Sequence, residues 1–241
     1  MRKIAVLFAK LLLKFHTHLV SKQCDNQAYP SDPFPDFTQM LEKHWEIVLK
    51  EATDYQKQLG SVGVSAYYTE QKALADEASW KSVPLILFGH GFKNNLAAFP
   101  KTTELFSEFG RVSSAMISIL PPNSSIKGHF GPFKGVLRYH LGLQIPADSP
   151  ACSITVDAIE KGWTEGKVLI LDDTFFHSAK NTTDKQRVIL FVDVNRRLSL
   201  GTKWITKCLF WGLKSSTYTQ RALRKYTRLQ NQEFIAWPSD F

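Results

Sequence analysis

The chain has 241 residues, 44% of them apolar, enough to bury a full core as one sizeable domain. Thirty Lys and Arg against 22 Asp and Glu give a net charge of +8, which favours an anionic partner: phospholipid, nucleic acid or an acidic substrate. Cys24, Cys152 and Cys208 are far apart and form no C-x-x-C pattern, which argues against a disulfide framework or a cysteine zinc site and suits a reducing compartment.

The N-terminus, MRKIAVLFAKLLLKFHTHLVSKQ, opens like a secretory signal, with Arg2 and Lys3 ahead of an apolar stretch. Lys10 and Lys14 interrupt that stretch, no A-x-A-like cleavage site follows, and the uninterrupted pieces fall far short of the roughly 20 residues that span a bilayer. Wound as a helix, Lys3, Lys10, Lys14 and His18 share one face, while Ile4, Phe8, Leu11, Leu12, Phe15 and Leu19 fill the other. That is the pattern of a basic amphipathic helix on a membrane surface. It is equally the pattern of an amphipathic helix docked on its own domain.

Residues 24–37, CDNQAYPSDPFPDF, read as an irregular linker. Phe37, Met40, Leu41, Trp45, Val48 and Leu49 predict a helix running to about Glu51. Residues 80–99 suggest strands and loops, and PKTTELFSEF (100–109) a short helix opened by proline and threonine. From Val112 to Val194, β-type runs follow closely: AMISIL (115–120), GVLRYHLGLQI (135–145), CSITVDA (152–158), KVLILDD (167–173) and RVILFVDV (187–194). Turn-rich PPNSS, PADSP and KNTTD separate them. Strands without interleaved helices predict a sandwich, jelly roll or barrel rather than a parallel α/β sheet. The tail from Thr202 is aromatic (Trp204, Phe210, Trp211) and then basic (Arg221, Arg224, Lys225, Arg228). The chain thus divides into a basic amphipathic segment (1–24), a central domain (25–198) and a basic aromatic extension (199–241).

Strand alternation assigns faces. In GVLRYHLGL, Val136, Arg138, His140 and Gly142 share one side, and Leu137, Tyr139, Leu141 and Leu143 the other. Arg187 shares a face with Ile189 and Phe191, and Ser118 adds a hydroxyl in AMISIL. A small barrel or jelly roll that collects Ser118, Arg138, His140 and Arg187 has a cationic, hydrogen-bonding pocket suited to a dicarboxylate. His129 and His177 each precede a strand with an interior arginine about ten residues on, as an iron-plus-carboxylate site requires. Asp172 and Asp173 offer carboxylates, though paired Asp at a strand end more often form turns or support the ligands.

These residues carry a family resemblance. WKS (80–82), PKT (100–102), H-x-G-P (129–132), LRYHLGL (137–143), W-x-E-G-K-V-L-I-x-D-D-x-F-x-H (163–177) and RVILFVDV (187–194) resemble the aspartyl/asparaginyl β-hydroxylases. These are iron(II)- and 2-oxoglutarate-dependent dioxygenases built on a double-stranded β-helix, a jelly-roll and cupin-like fold with flanking helices. The resemblance makes His129 and His177 the catalytic iron ligands. It also implies that Arg187 with Ser118 holds the distal carboxylate of 2-oxoglutarate, with Arg138 and His140 near the proximal one. The implied reaction consumes O2, yields succinate and CO2, and inserts oxygen into an unactivated C–H bond. Gly131 stands where the wider class has a third, carboxylate ligand; peptide-hydroxylating members of this branch share the glycine and hold iron with two histidines. Halogenating relatives lose the same carboxylate, and a non-catalytic binding module on this fold is the other alternative.

Two substrates follow from the resemblance. Peptidyl Asp/Asn hydroxylases carry an arginine where this chain has Val136, expected to face the substrate beside Gly131. LRYHLGL, NTTDKQRVILF (181–191) and FPDFTQMLEKHWEIVLKEA (34–52) are similar instead to lipid A acyl-chain 2-hydroxylases, which carry HRDPF where this chain has HFGPF. The expected partners are a peptide or lipid substrate and an anionic membrane surface, with no nucleic acid. The expected location is cytoplasmic, at the periphery of the cytoplasmic membrane where the basic segment binds it.

Overall fold

The apolar spacing around Phe37 to Glu51 forms two helices rather than one. The computed structural model describes residues 2–68, 73–75 and 80–240, with the backbone alone for residues 2–10. Helix α1 (Arg2–Ser21) leads into an irregular segment, then α2 (Pro35–Lys43) and α3 (Trp45–Leu59). The break falls at His44, which leaves helical geometry (φ −111°, ψ 13°) as its Nδ1 bonds to the Met40 carbonyl. Periodicity does not register it, because Leu41 and Val48 stay in phase across it and are both fully buried.

Next come β1 (Val62–Gly63), the one-turn α4 (Val64–Tyr67), β2 (Lys81–Leu87), β3 (His90–Phe92), α5 (Lys93–Ala98) and α6 (Pro100–Phe109). Helix α6 has the bounds its sequence predicts, closed by the left-handed Gly110 (φ 72°). Eight strands follow: β4 (Val112–Leu120), β5 (Ser124–His129), β6 (Val136–Gln144), β7 (Cys152–Val156), β8 (Ile159–Gly162), β9 (Val168–Leu171), β10 (His177–Asn181) and β11 (Arg187–Asn195). The unassigned tail forms α7 (Leu200–Lys214), α8 (Thr217–Gln230) and β12 (Phe234–Ala236).

Four of the eight, in the order β4-β11-β6-β9, make one sheet, which β2, β3 and β12 extend; β5-β10-β7-β8 make the other. Successive strands pass between two antiparallel sheets, the winding of a jelly roll. The expected fold class therefore holds. Strands β5 and β10 fell partly in segments read as turns. Their outer faces are wet, so few apolar residues mark them: Ile126 and Ala179 are buried in SSIKGH and HSAKN.

The faces of β6 are those that alternation assigns. Leu137, Tyr139, Leu141 and Leu143 join Val188, Leu190, Val192 and Val194 of β11 in a core covered by α2, α3 and α6. Arg138, His140, Arg187, Ile189 and Phe191 turn into the space between the sheets.

Helix α1 docks, but on a stripe that its charge pattern did not single out. The expected faces of Lys3, Ile4, Phe8 and Lys10 lie outside the described side chains. Of the rest, His16 and Val20 are buried, while Leu11 and Phe15 are exposed with Lys14 and His18. His16 stacks on Phe133 and its Nε2 bonds to Thr206 Oγ1 of α7 at 2.8 Å. Because Thr206 donates its own proton to the Thr202 carbonyl, His16 Nε2 must be the donor and Nδ1 carries a buried lone pair. Burial lowers the His16 pKa to about 4.

A histidine whose pKa is depressed in the folded state favours that state above its ordinary pKa and loses the contribution as pH falls toward the folded value. Docking of α1 should therefore weaken by about 2 kcal/mol on going from neutral pH to about pH 5. Hydrogen-exchange protection factors of the α1 amides, taken against the intrinsic rate at each pH, should fall accordingly. His16→Phe, which keeps the ring stack, should remove the pH dependence; an unchanged profile in that variant would assign the effect elsewhere.

Candidate active site

Antiparallel pairing sets His129 of β5 directly opposite His177 of β10. Their rings lie 4.1 Å apart between centroids, at the wall of a cavity between the sheets. Each ring is fixed by the chain two residues earlier: His129 Nδ1 bonds to the Lys127 carbonyl at 2.8 Å, and His177 Nδ1 to the Phe175 carbonyl at 3.0 Å. A carbonyl only accepts, so both Nδ1 atoms carry protons and both Nε2 atoms keep their lone pairs. Burial lowers the His129 pKa; burial and the neighbouring His129 lower that of His177 to about 4. Both imidazoles are neutral at physiological pH, the form that binds a metal. Among the described residues, no cluster of three or more His, Cys, Asp or Glu is placed to hold a metal.

Deeper in the cavity lies Arg187, almost completely buried. Among the described residues its Nε and Nη1 find no partner, and the Trp163 ring lies 4.8 Å from its Cζ. Burial lowers its pKa to about 10, so it remains a cation at neutral pH. Trp80 Nε1 donates to Ser118 Oγ at 3.0 Å, leaving the hydroxyl proton free for the cavity. Trp163 Nε1 donates to His140 Nδ1 at 3.2 Å. That bond places the proton of neutral His140 on Nε2, which is buried and unpartnered. Burial, then Arg138 and Arg187, drive its pKa well down, so it is a neutral donor. Arg187, His140 and Ser118 thus present hydrogen-bond donors to one space, an arrangement that fits a carboxylate ligand next to the two histidines.

Arg138 lines the same cavity but is already paired. Its Nε bonds to Asp193 Oδ1 at 2.9 Å and its Nη2 to Asp173 Oδ2 at 2.9 Å. It therefore shares the cavity with Ser118, His140 and Arg187 but, unlike Arg187, has its charge answered by two aspartates. Adjacent Asp172 and Asp173 face opposite ways. Asp172 is fully buried and takes Lys134 Nζ and Arg196 Nη2 on one oxygen, both at 2.5 Å, tying the end of β9 to the segments flanking β6 and β11. Asp173 stands against Gly131: a Cβ there would lie 2.0 Å from Asp173 Oδ2. Any side chain at position 131 collides with that carboxylate, which explains the glycine locally.

Val136, expected to face the substrate, lines neither cavity beside the histidines. It is buried against Phe133 and Phe210 of α7. A neighbouring outer cavity, reached past His129 and Gly131, is walled by Leu87, Phe88, Met116, Phe130, Pro132 and Tyr218, among others. Composition marked Trp80, Trp163 and Asp193 as parts of motifs without a role; their polar atoms on inward faces were the available signal.

A model of the family described as aspartyl/asparaginyl beta-hydroxylase matches residues 42–197. The ornithine lipid ester-linked acyl 2-hydroxylase of Rhizobium tropici is 38% identical over 141 residues, covering 58% of this chain and 50% of that protein. Human aspartyl/asparaginyl beta-hydroxylase is 29% identical over 166 residues, covering 67% of this chain and 21% of that protein. The chain therefore spans about half the length of the first relative and about a fifth of the second.

Gly131→Ala should cost about 1–3 kcal/mol in urea unfolding, because the methyl group and the Asp173 carboxylate claim the same space. Combined with Asp173→Gly, it should cost less than the two single changes added together; strict additivity would show that the contact does not determine the glycine.

Proposed function

The chain belongs to the aspartyl/asparaginyl β-hydroxylase family, and from that membership we propose that it is an iron(II)- and 2-oxoglutarate-dependent dioxygenase that hydroxylates a lipid acyl chain. One observation carries the reading: two neutral histidines whose Nε2 atoms both keep a lone pair line one cavity with a buried guanidinium whose Nε and Nη1 lack partners among the described residues. Iron, when bound, supplies the redox chemistry by which O2 and 2-oxoglutarate give succinate and CO2 while one oxygen atom enters a C–H bond. His129 and His177 would hold it. Arg187 and Ser118 receive one carboxylate of 2-oxoglutarate, and His140 Nε2 donates toward the other. Trp80 and Trp163 orient two of these donors, and the apolar walls keep the site dry.

The outer cavity supports an acyl substrate. Its wall is largely apolar, and its arginine, Arg138, is neutralised by Asp173 and Asp193. Among the described residues a substrate carboxylate would find no free cation there, whereas a hydrocarbon chain gains by burial. The acyl hydroxylase relative agrees with this choice. Gly131 is the feature that favours a peptidyl Asp or Asn instead.

His129→Ala and His177→Ala should each abolish iron-dependent conversion of 2-oxoglutarate to succinate; turnover retained in both would refute the ligand pair. Arg187→Ala should raise the 2-oxoglutarate requirement about tenfold or more, since a buried charged hydrogen bond contributes about 1.5–3 kcal/mol. Mass spectrometry of lipid and peptide fractions from cells with and without the gene identifies the substrate. One added oxygen on an acyl chain is expected, and the same addition on a peptide instead would overturn the acyl reading.

A further inference from the structure

The basic charge of this chain is concentrated in three helices. Helices α1, α7 and α8 contain eleven Lys and Arg and no Asp or Glu; without those eleven the net charge of +8 becomes −3. All three also hold large apolar side chains in the open, α1 and α7 more than α8, where Leu229 stands alone. Helix α7 turns Thr202, Thr206 and Phe210 inward, which leaves Trp204, Cys208 and Trp211 on a stripe at helical spacing. Trp204 is 60% exposed and Trp211 68%. Beside it, α1 is fixed by His16 to Thr206 and by Gln23 to Thr202, so its inward face is settled and Leu11 and Phe15 remain outside with Lys14. Lys207 lies over the Trp204 ring at 5.6 Å. Just beyond Trp211, a groove lined by Arg224, Lys225 and Arg228 opens from Ser215 at the end of α7.

We propose that α1, α7 and the start of the α8 groove form a docking surface for an anionic phospholipid bilayer. Tryptophan and phenylalanine enter the headgroup boundary while the surrounding cations meet lipid phosphate. The charge decides the occupant: a second copy would bring like charge against like, and a nucleic acid makes no use of Leu11 and Phe15 beside the two indoles. No helix among the described residues is long and apolar enough to cross a membrane, so the chemistry is that of a helix pair lying on the surface. The outer cavity lies against the inner side of the same two helices: Tyr218 of α8 lines it, as does Phe88, which meets the inward Phe210 of α7.

The surface is read from these helices alone and does not depend on the reaction. Flotation of the full chain, without iron or 2-oxoglutarate, with vesicles of phosphatidylcholine alone or with about one-third phosphatidylglycerol tests it. Binding is expected to the anionic vesicles, to weaken with salt, and to fall by about tenfold or more in Trp204→Ser/Trp211→Ser. A polarity-sensitive dye on the exposed Cys208, in a Cys24→Ser background, should shift to the blue on binding, and does so independently of whether the tryptophan variant folds. Four results would overturn the proposal: equal binding to both vesicle types, no dye shift, RNA binding without vesicle binding, or a dimer in free solution that the tryptophan changes dissolve. A failure here leaves succinate formation unaffected, so it is distinguishable from failure of the hydroxylase reading.

Discussion

A guanidinium buried between two sheets with no acid of its own is the constraint on which the rest of this site depends. Taking a cation out of water costs several kcal/mol unless something anionic meets it. Elsewhere in the interior the chain obeys that rule: Asp172 answers Lys134 and Arg196, and Asp173 and Asp193 answer Arg138. Arg187 is treated differently. Its neighbours are an indole face and a thiol, Cys152, whose own pKa burial pushes up. Among the described residues the acids of this interior, Asp172, Asp173 and Asp193, are committed to other cations, and the charge of Arg187 remains available for an anion supplied from outside.

The same economy explains the paired aspartates. The chain turns just past β9, where Thr174 N–H donates to Asp172 Oδ1, and one Asp closes the frame while the next faces Arg138. Asp172 ties three segments together at one oxygen, and this fixes the chain direction from which Asp173 reaches Arg138 and fills the space over Gly131. The burial that depresses both histidine pKa values acts on the carboxyl of Asp193 in the opposite sense, raising it to about 6, with Asp173 adding to the rise and Arg138 opposing it. The ion cluster around Arg138 is therefore a positioning device with a finely balanced charge.

Period-two alternation made the wall of the site legible in the sequence, because a charged residue on an otherwise apolar face is visible without coordinates. Ser118, Arg138, His140 and Arg187 all line one cavity. What alternation does not show is pairing: it ranks Arg138 and Arg187 alike, although one is neutralised and the other is not. It also loses register at strand ends, where the cover changes. Val136 shares the face of Arg138 in principle, yet Phe133 and Phe210 close over it before the cavity begins. Strands β5 and β10 were hard to read for the converse reason, that a sheet wet on one side contributes few apolar letters.

The covering of Val136 has a consequence for where specificity resides. The chemical core, from His129 to Arg187, lies within the part that matches the family, residues 42–197. The lid over Val136 comes from Phe210, and one wall of the outer cavity from Tyr218, both beyond that part. The tail packs onto the domain through Phe210, which meets Phe88 and Phe133, and onto α1 through Thr206. Chemistry and access are thus carried by different lengths of chain, and a change in α7 or α8 alters what reaches the site while leaving its donors in place.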